Sequence, residues 1–376
     1  MTEGFVYGRP VTGSQFVGRE KIIRDIQTLI RSGQGIILIG PRGYGKTSVL
    51  FEVVRRLKHD YFTGNVDVFS VTTKKELANS IIHTTLMNKK ISLKRILNFF
   101  KESFAKALSR VEVRAAVDEF EIILKAADKS TDEDALLNDA LDFPENFSKK
   151  TGKKMVFAYD EFGDMLKING NTIKRTRAKI QHHKNVVYLF AGSEESIMEH
   201  LFTKRSEAFY GFGKIMRLDP LSENDFIPYI VSTYKKLGIK INQDIVGGIV
   251  ELVTGHPYYV NYLCQTIYLA VKGEKKKIES KDVERGYKNA VVSESTYFDK
   301  TWFELRNASL QAQIVKHLAV SNVSPYRVFD ESRQNVYRAL TVLEHKGIIR
   351  KQENRYVFIN PLFKTYIQEM FQSNIF

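Results

Sequence analysis

Eight consecutive residues, Gly40-Pro41-Arg42-Gly43-Tyr44-Gly45-Lys46-Thr47, meet the pattern G-x-x-x-x-G-K-[ST] at every fixed position. The residue types explain what such a stretch does. Glycines let backbone N–H groups turn inward around phosphate oxygens, and the N-terminus of a following helix adds positive potential. Lys46 reaches the β- and γ-phosphates of a nucleotide, the Thr47 hydroxyl is a ligand for Mg²⁺, and Ser48 carries the loop into the helix. A second group of chemical residues lies in Ala158-Tyr159-Asp160-Glu161-Phe162, an apolar run that ends in two acids. Asp160 suits an outer-sphere ligand of Mg²⁺, and Glu161 suits the base that orients water on a γ-phosphate. A third is Ala191-Gly192-Ser193, where a hydroxyl can reach toward the γ-phosphate and report hydrolysis. A plain Gly-Ser turn is the alternative there.

These groups need a scaffold that brings them to one edge. Gly35–Ile39 reads as a buried strand leading into the loop, and Val49, Leu50, Val53, Val54 and Leu57 recur at helical spacing behind it. Val66–Val71 is predicted as a second strand. Met155–Tyr159 and Val186–Phe190 are short, β-rich and turn-bounded, as buried parallel strands are, and Ile215–Leu218 is a weaker fifth. The spacing predicts mostly helix over 74–126, a charged loop over 128–134, a helix ending near Pro144 and a basic turn at 149–154. From Leu221 to about Val292 every strong period is helical. Three more helices and short strands follow. Strands alternating with helices imply an α/β protein whose parallel sheet is covered on both faces, with ligands at the carboxyl ends of the strands.

The chain has 376 residues, enough for two or three domains. Its formal net charge of +14 favours polyanionic partners, although a metabolic ATPase can also be basic. The single cysteine, Cys264, excludes an intramolecular disulfide framework, and its apolar neighbours Tyr262, Leu263 and Ile267 suggest a core position. With no signal peptide and no apolar run long enough to span a bilayer, the sequence reads as soluble and cytoplasmic, without membrane contact.

Around these motifs the chain resembles the nucleotide-oligomerisation branch of P-loop ATPases. That branch holds AAA+ initiators of the Orc/Cdc6 kind, STAND signalling ATPases and the archaeal-type ATPase family. The resemblance rests on the string from Tyr7-Gly8-Arg9-Pro10-Val11 through Phe16-Val17-Gly18-Arg19-Glu20, on Gly40–Ser48, on Thr203–Tyr210, and on Thr254-Gly255-His256-Pro257. It covers nearly the whole chain. It implies that Phe16, Val17 and Pro257 line the adenine side, and that ATP, ADP and Mg²⁺ are the cofactors. It further implies a P-loop NTPase (AAA+/ASCE-like) core over 1–219, a helical lid over 220–295 and a C-terminal winged helix over 296–376. Two features depart from the pattern. Phe212 stands where arginine is common, and no sensor arginine is evident near Gly255. Arg205 is then the candidate for a finger supplied to a neighbouring subunit when ATP drives homo-oligomer formation. A solvated arginine is the plainer reading.

At the C-terminus, Ser332–Gly347 reads as a helix with a serine cap and a glycine stop. Val336, Leu340 and Leu343 share one face, and Gln334, Arg338, Thr341 and His345 the other. A winged helix presents such a face to the major groove, while Arg350, Lys351 and Arg355 on the following hairpin are placed to meet phosphates. The preferred reading is therefore an ATP-driven, DNA-binding switch that maintains or replicates DNA or a mobile element, with slow turnover until a partner engages. The alternative is a STAND-like signalling or defence ATPase that works through protein partners. STAND proteins usually carry sensor repeats or an effector, whereas this sequence stops at Phe376.

Overall fold

The apolar runs form one parallel sheet in the computed structural model, which describes residues 4–88, 132–169 and 171–372. The described residues pack as two compact units.

The first unit comprises the described residues of 19–40 and 46–218. It contains α1 (Glu20–Arg31), β1 (Gly35–Ile39), α2 (Lys46–Leu57), β2 (Phe62–Asp67), α3 (Lys74–Leu86), α4 (Glu133–Thr151), β3 (Met155–Asp160), α5 (Thr172–Ile180), β4 (Val186–Gly192), α6 (Glu195–Thr203) and β5 (Gly213–Arg217). The strand order is β2-β3-β4-β1-β5, with every pairing parallel. Every residue of β3 and β4 is buried, which is why both read as unbroken apolar runs: helices cover both faces. The register sets Asp67 beside Asp160 and Tyr159 beside Phe190, so the chemical residues at the strand ends share the carboxyl edge.

Two sequence expectations change. The second strand begins at Phe62 and stops at Asp67, with a 3₁₀ turn over Val68–Ser70. Gly64 and Asn65 hid its start, since neither favours strand. Gly64 belongs there because a Cβ would come within 2.6 Å of the Phe157 ring on β3. The helix expected to end near Pro144 instead runs on to Thr151 with Pro144 buried inside it. Burial of Phe143, Phe147 and Leu141 outweighs the lost backbone hydrogen bond. The helical reading beyond residue 88, and most of the charged loop at 128–134, lie outside the described residues.

The second unit comprises the described residues of 1–18, 41–45 and 219–376. Its helices are α7 (Glu223–Lys236), α8 (Gln243–Leu252), α9 (Pro257–Val271), α10 (Ser280–Ser293), α11 (Ser295–Arg306), α12 (Ser309–Val320), α13 (Arg333–His345) and α14 (Pro361–Gln372). A capping box between Ser222 and Asp225 starts α7. Ser332 accepts the Asn335 N–H at 3.1 Å to start α13, and Gly347 ends it with φ +66°. The antiparallel hairpin of β6 (Ile349–Gln352) and β7 (Arg355–Phe358) precedes α14. One apolar core runs from Phe226, Leu263 and Ile267 to Phe298, Leu340 and Phe363. Cys264 lies in it fully buried, and burial pushes its thiol well above the ordinary range.

Candidate nucleotide site

In the sheet unit, β1 delivers Gly40 and α2 opens on Lys46 and Thr47. Lys46 is only 5% exposed, and its Nζ donates to the Gly40 carbonyl at 2.8 Å. Thr47 Oγ1 donates to Asp160 Oδ2 at 2.5 Å, so the two proposed metal-side residues already meet. Asp160 is 5% exposed, and burial holds its carboxyl above the usual range despite the Thr47 hydrogen bond. Desolvation costs a carboxylate more than one neutral donor returns. A hard divalent cation would offset that cost, and an oxygen-only pair of Asp160 and Thr47 suits Mg²⁺. Among the described residues no cluster of three or more His, Cys, Asp or Glu could hold an ion by itself, so further ligands would come from phosphate oxygens and water.

Glu161 follows in a left-handed backbone conformation, φ +48°. The chain accepts this because the next residue, Phe162, is driven into an aromatic cluster. Its ring lies 4.6 Å from Phe190, 5.0 Å from Phe209 and 5.6 Å from Phe202. Such pairs each contribute about 0.5–1.5 kcal/mol beyond area burial, against about 1–2 kcal/mol for the left-handed residue. Phe212, which stands where the family resemblance implies arginine, joins the same cluster at 5.4 Å from Phe190, with the Arg177 guanidinium 4.8 Å over its ring.

The β3–β4 pairing brings Ser193 to Glu161. The Ser193 N–H and Oγ both donate to Glu161 Oε2, each at 2.8 Å. The residue read as a γ-phosphate reporter is thus bonded directly to the residue read as the base. Sequence reasoning did not single out Asp67, whose carboxyl burial pushes up and whose titration also feels Glu161 and Asp164. Its signal was available: like Asp160, it ends a strand. Glu20, the last residue of the N-terminal string that starts at Tyr7, has a structural task, pairing with Arg56 of α2 at 2.6 Å.

In the second unit, residues 41–45 of the loop pack against the Gly255-His256-Pro257 turn and share one compact unit with the N-terminal segment that ends at Gly18. Gly43 has φ +82°, and a Cβ there would meet His256 Cε1 at 2.7 Å and Tyr258 Cβ at 3.0 Å. Tyr44 is 3% exposed; its ring meets His256 edge-on at 4.6 Å, and the Arg350 guanidinium lies 5.1 Å from its centroid. Phe16 and Val17 are half-buried, with Val17 against the apolar core. Leu221 bridges Gly18 to the turn: it lies against Gly18, and its N–H donates to the Gly255 carbonyl at 3.0 Å. Pro257 is the first residue of α9, where its missing N–H costs nothing. Arg42 is exposed. Tyr258, next to Pro257, was not named from sequence; it stacks edge-on with Tyr7 at 5.8 Å.

The remaining candidates fall as follows. Arg205 is exposed in the turn after α6. Gln334, Arg338 and His345 are exposed on α13, whereas Thr341 is half-buried and its Oγ1 donates to the Tyr337 carbonyl at 2.9 Å. Lys351 and Arg355 are exposed on the hairpin. Arg350 differs from them, since its guanidinium is committed to Tyr44.

Residues 16–263 match the family described as an ATPase domain predominantly from Archaea. A Walker-type ATPase of Pyrococcus abyssi has the same fold, with TM-score 0.68 and 16% identity over 96% of this chain and 99% of that one. The ORC2 protein of Aeropyrum pernix, solved as ADPNP and ADP complexes, matches with TM-score 0.56 and 13% identity over 95% and 93% of the two chains. No curated protein matches by sequence. Among the described residues no helix is long and apolar enough to cross a membrane.

Proposed function

This chain belongs to the family of ATPase domains found predominantly in Archaea, and from that premise we propose that it is an ATP-binding and hydrolysing switch that acts on DNA. The observation that carries hydrolysis is the chain of contacts from Thr47 to Asp160 and from Ser193 to Glu161 at one sheet edge. Lys46 and the loop N–H groups hold the phosphates, with Arg42, Tyr44, Gly45 and Ser48 shaping the cradle. Thr47 and Asp160 hold Mg²⁺, which when bound neutralises charge on the phosphate oxygens. Glu161 takes the proton of the attacking water, and Ser193 holds its carboxylate in place. Phe16, Val17 and Pro257 line the adenine. Arg205 is proposed to act on the nucleotide of a neighbouring copy, so that ATP favours self-association. The protein is proposed to work in the cytoplasm, and turnover is slow until a partner engages.

Because Ser193 supplies two donors to one carboxylate oxygen, Ser193→Ala removes only the hydroxyl. Losing one hydrogen bond to a charged group costs about 1.5–3 kcal/mol. We expect steady-state hydrolysis to fall about tenfold or more while ATP affinity, measured by calorimetry, stays near the wild-type value. Unchanged turnover would remove Ser193 from the mechanism.

The DNA reading is supported by the charge of +14, by the polar face of α13 and by the exposed cations of the hairpin, which together suit a winged helix over 296–376 beside a helical lid over 220–295. Gln334, Arg338, Thr341 and His345 would face the groove, with Lys351 and Arg355 on backbone phosphates. The test titrates the ATPase rate with duplex DNA at about 50 and 200 mM salt. Stimulation at low salt that disappears at high salt is expected, because each neutralised phosphate releases counterions. No binding at low salt, together with a protein partner recovered by pull-down, would instead favour a signalling ATPase.

A further inference from the structure

We propose that Arg350 is a positioning residue of the phosphate loop, acting through the ring of Tyr44. The proposal rests on the nucleotide-binding reading and not on the DNA reading. Arg350 lies on β6, about three hundred residues along the chain from the loop, yet its guanidinium sits 5.1 Å from the Tyr44 centroid within one compact unit. Its other contacts are poor. Nε is buried with no hydrogen-bond partner, and the side-chain bond from Nη2 to Gln352 Oε1 is long at 3.5 Å. A guanidinium with a buried, unmatched donor is costly to keep, and the aromatic face is the compensation the structure offers.

The pleat explains why this arginine, and not its neighbour, reaches the loop. Ile349 pairs with Phe358 and Lys351 with Tyr356 on the face of the hairpin that includes the buried Ile349 and Phe358. Arg350 pairs with Val357 on the opposite face. Arg350 and Lys351 therefore point to opposite faces although adjacent in sequence, while Arg355, paired with Gln352, lies on the face of Arg350 but farther along the hairpin.

Tyr44 is a sensitive point to hold. It stands between two glycines with φ of +82° and +86°, Gly43 and Gly45, whose backbone conformations set where the loop N–H groups aim. Tyr44 N–H donates to the Pro41 carbonyl at 3.3 Å. The ring contacts with His256 and Arg350 add to what holds the loop apex. By linkage, a nucleotide that reshapes Gly43–Gly45 shifts the hairpin, and a change at the hairpin shifts nucleotide affinity by the same factor.

The test measures affinity for a fluorescent ADP analogue and for ATP in the full chain, with melting temperature recorded without nucleotide. Arg350→Ala is expected to weaken nucleotide binding about three- to tenfold, within the range of a part-buried cation–π contact, at little change in melting temperature. Arg350→Lys is expected to recover part of that loss, and it replaces the alanine variant if the latter unfolds. Tyr44→Leu should cost a similar factor, and the double variant no more than either single one. As a readout that a merely structural role would not move, Asn354→Cys at the exposed hairpin turn carries an environment-sensitive dye, since Cys264 is buried. Its emission is expected to respond to nucleotide in the wild-type background and not in Arg350→Ala. Wild-type affinity in folded Arg350→Ala, or additive effects in the double variant, would overturn the coupling. Failure of the parent chain to bind nucleotide would overturn the nucleotide reading as well.

Discussion

Lys46→Ala is expected to lower affinity for ATP and ADP by about a hundredfold or more, to the point where calorimetry records no binding. Lys46 is the first residue of α2, 5% exposed, and its ammonium is fixed 2.8 Å from the Gly40 carbonyl. That carbonyl borders the segment whose N–H groups must face phosphate, so the side chain both shapes the loop and supplies its charge. Charge-assisted hydrogen bonds to phosphate contribute about 1.5–3 kcal/mol each, and a lysine at two phosphates makes at least two. Three to four kcal/mol is roughly two to three decades in Kd. The variant's melting temperature without nucleotide checks that the fold persists. A Kd within about threefold of wild type would remove Lys46, and with it the phosphate-loop reading.

Glu161→Gln is expected to separate binding from hydrolysis. The amide oxygen of glutamine can still accept from the Ser193 N–H and Oγ, so the geometry that holds this side chain survives. What disappears is the capacity to take a proton from water. General-base assistance contributes about 10²–10⁴-fold, so single-turnover hydrolysis should fall by at least about two decades while ATP stays bound. Filter binding with labelled ATP, followed over time, reads both quantities at once. Turnover near the wild-type rate would show that another group activates the water, with Asp67 on the neighbouring strand end the next to test.

Much of the candidate site was legible before any fold was known. The strand at Gly35–Ile39, the loop, and the paired acids after Tyr159 are local in sequence, and local patterns report local structure. Phe212 shows where locality fails. As a departure from a pattern it pointed to lost chemistry; in three dimensions it is a packing residue against Phe190 and Arg177. Pro144 misled for the opposite reason. Its local preference to end a helix is real, but burial of the flanking phenylalanines overrides it. The second strand was misplaced because Gly64 carries no strand preference, and only the Phe157 ring across the pair explains why glycine is there.

By itself the sequence singled out the groups proposed to handle a nucleotide: Lys46 and Thr47, Asp160 and Glu161, Ser193. It could do so because phosphate chemistry demands particular residue types at fixed short spacings. Only the tertiary structure decided which of them touch. Ser193 bonds Glu161 because β4 pairs with β3, and nothing in the chain order requires that pairing. Arg350 meets Tyr44 and Lys351 does not because the pleat turns the two to opposite faces, and because a ring buried against His256 can shelter a guanidinium whose Nε is buried. Contacts between residues far apart in sequence depend on how strands order and faces pack, and those choices are made by the whole core rather than by any short motif.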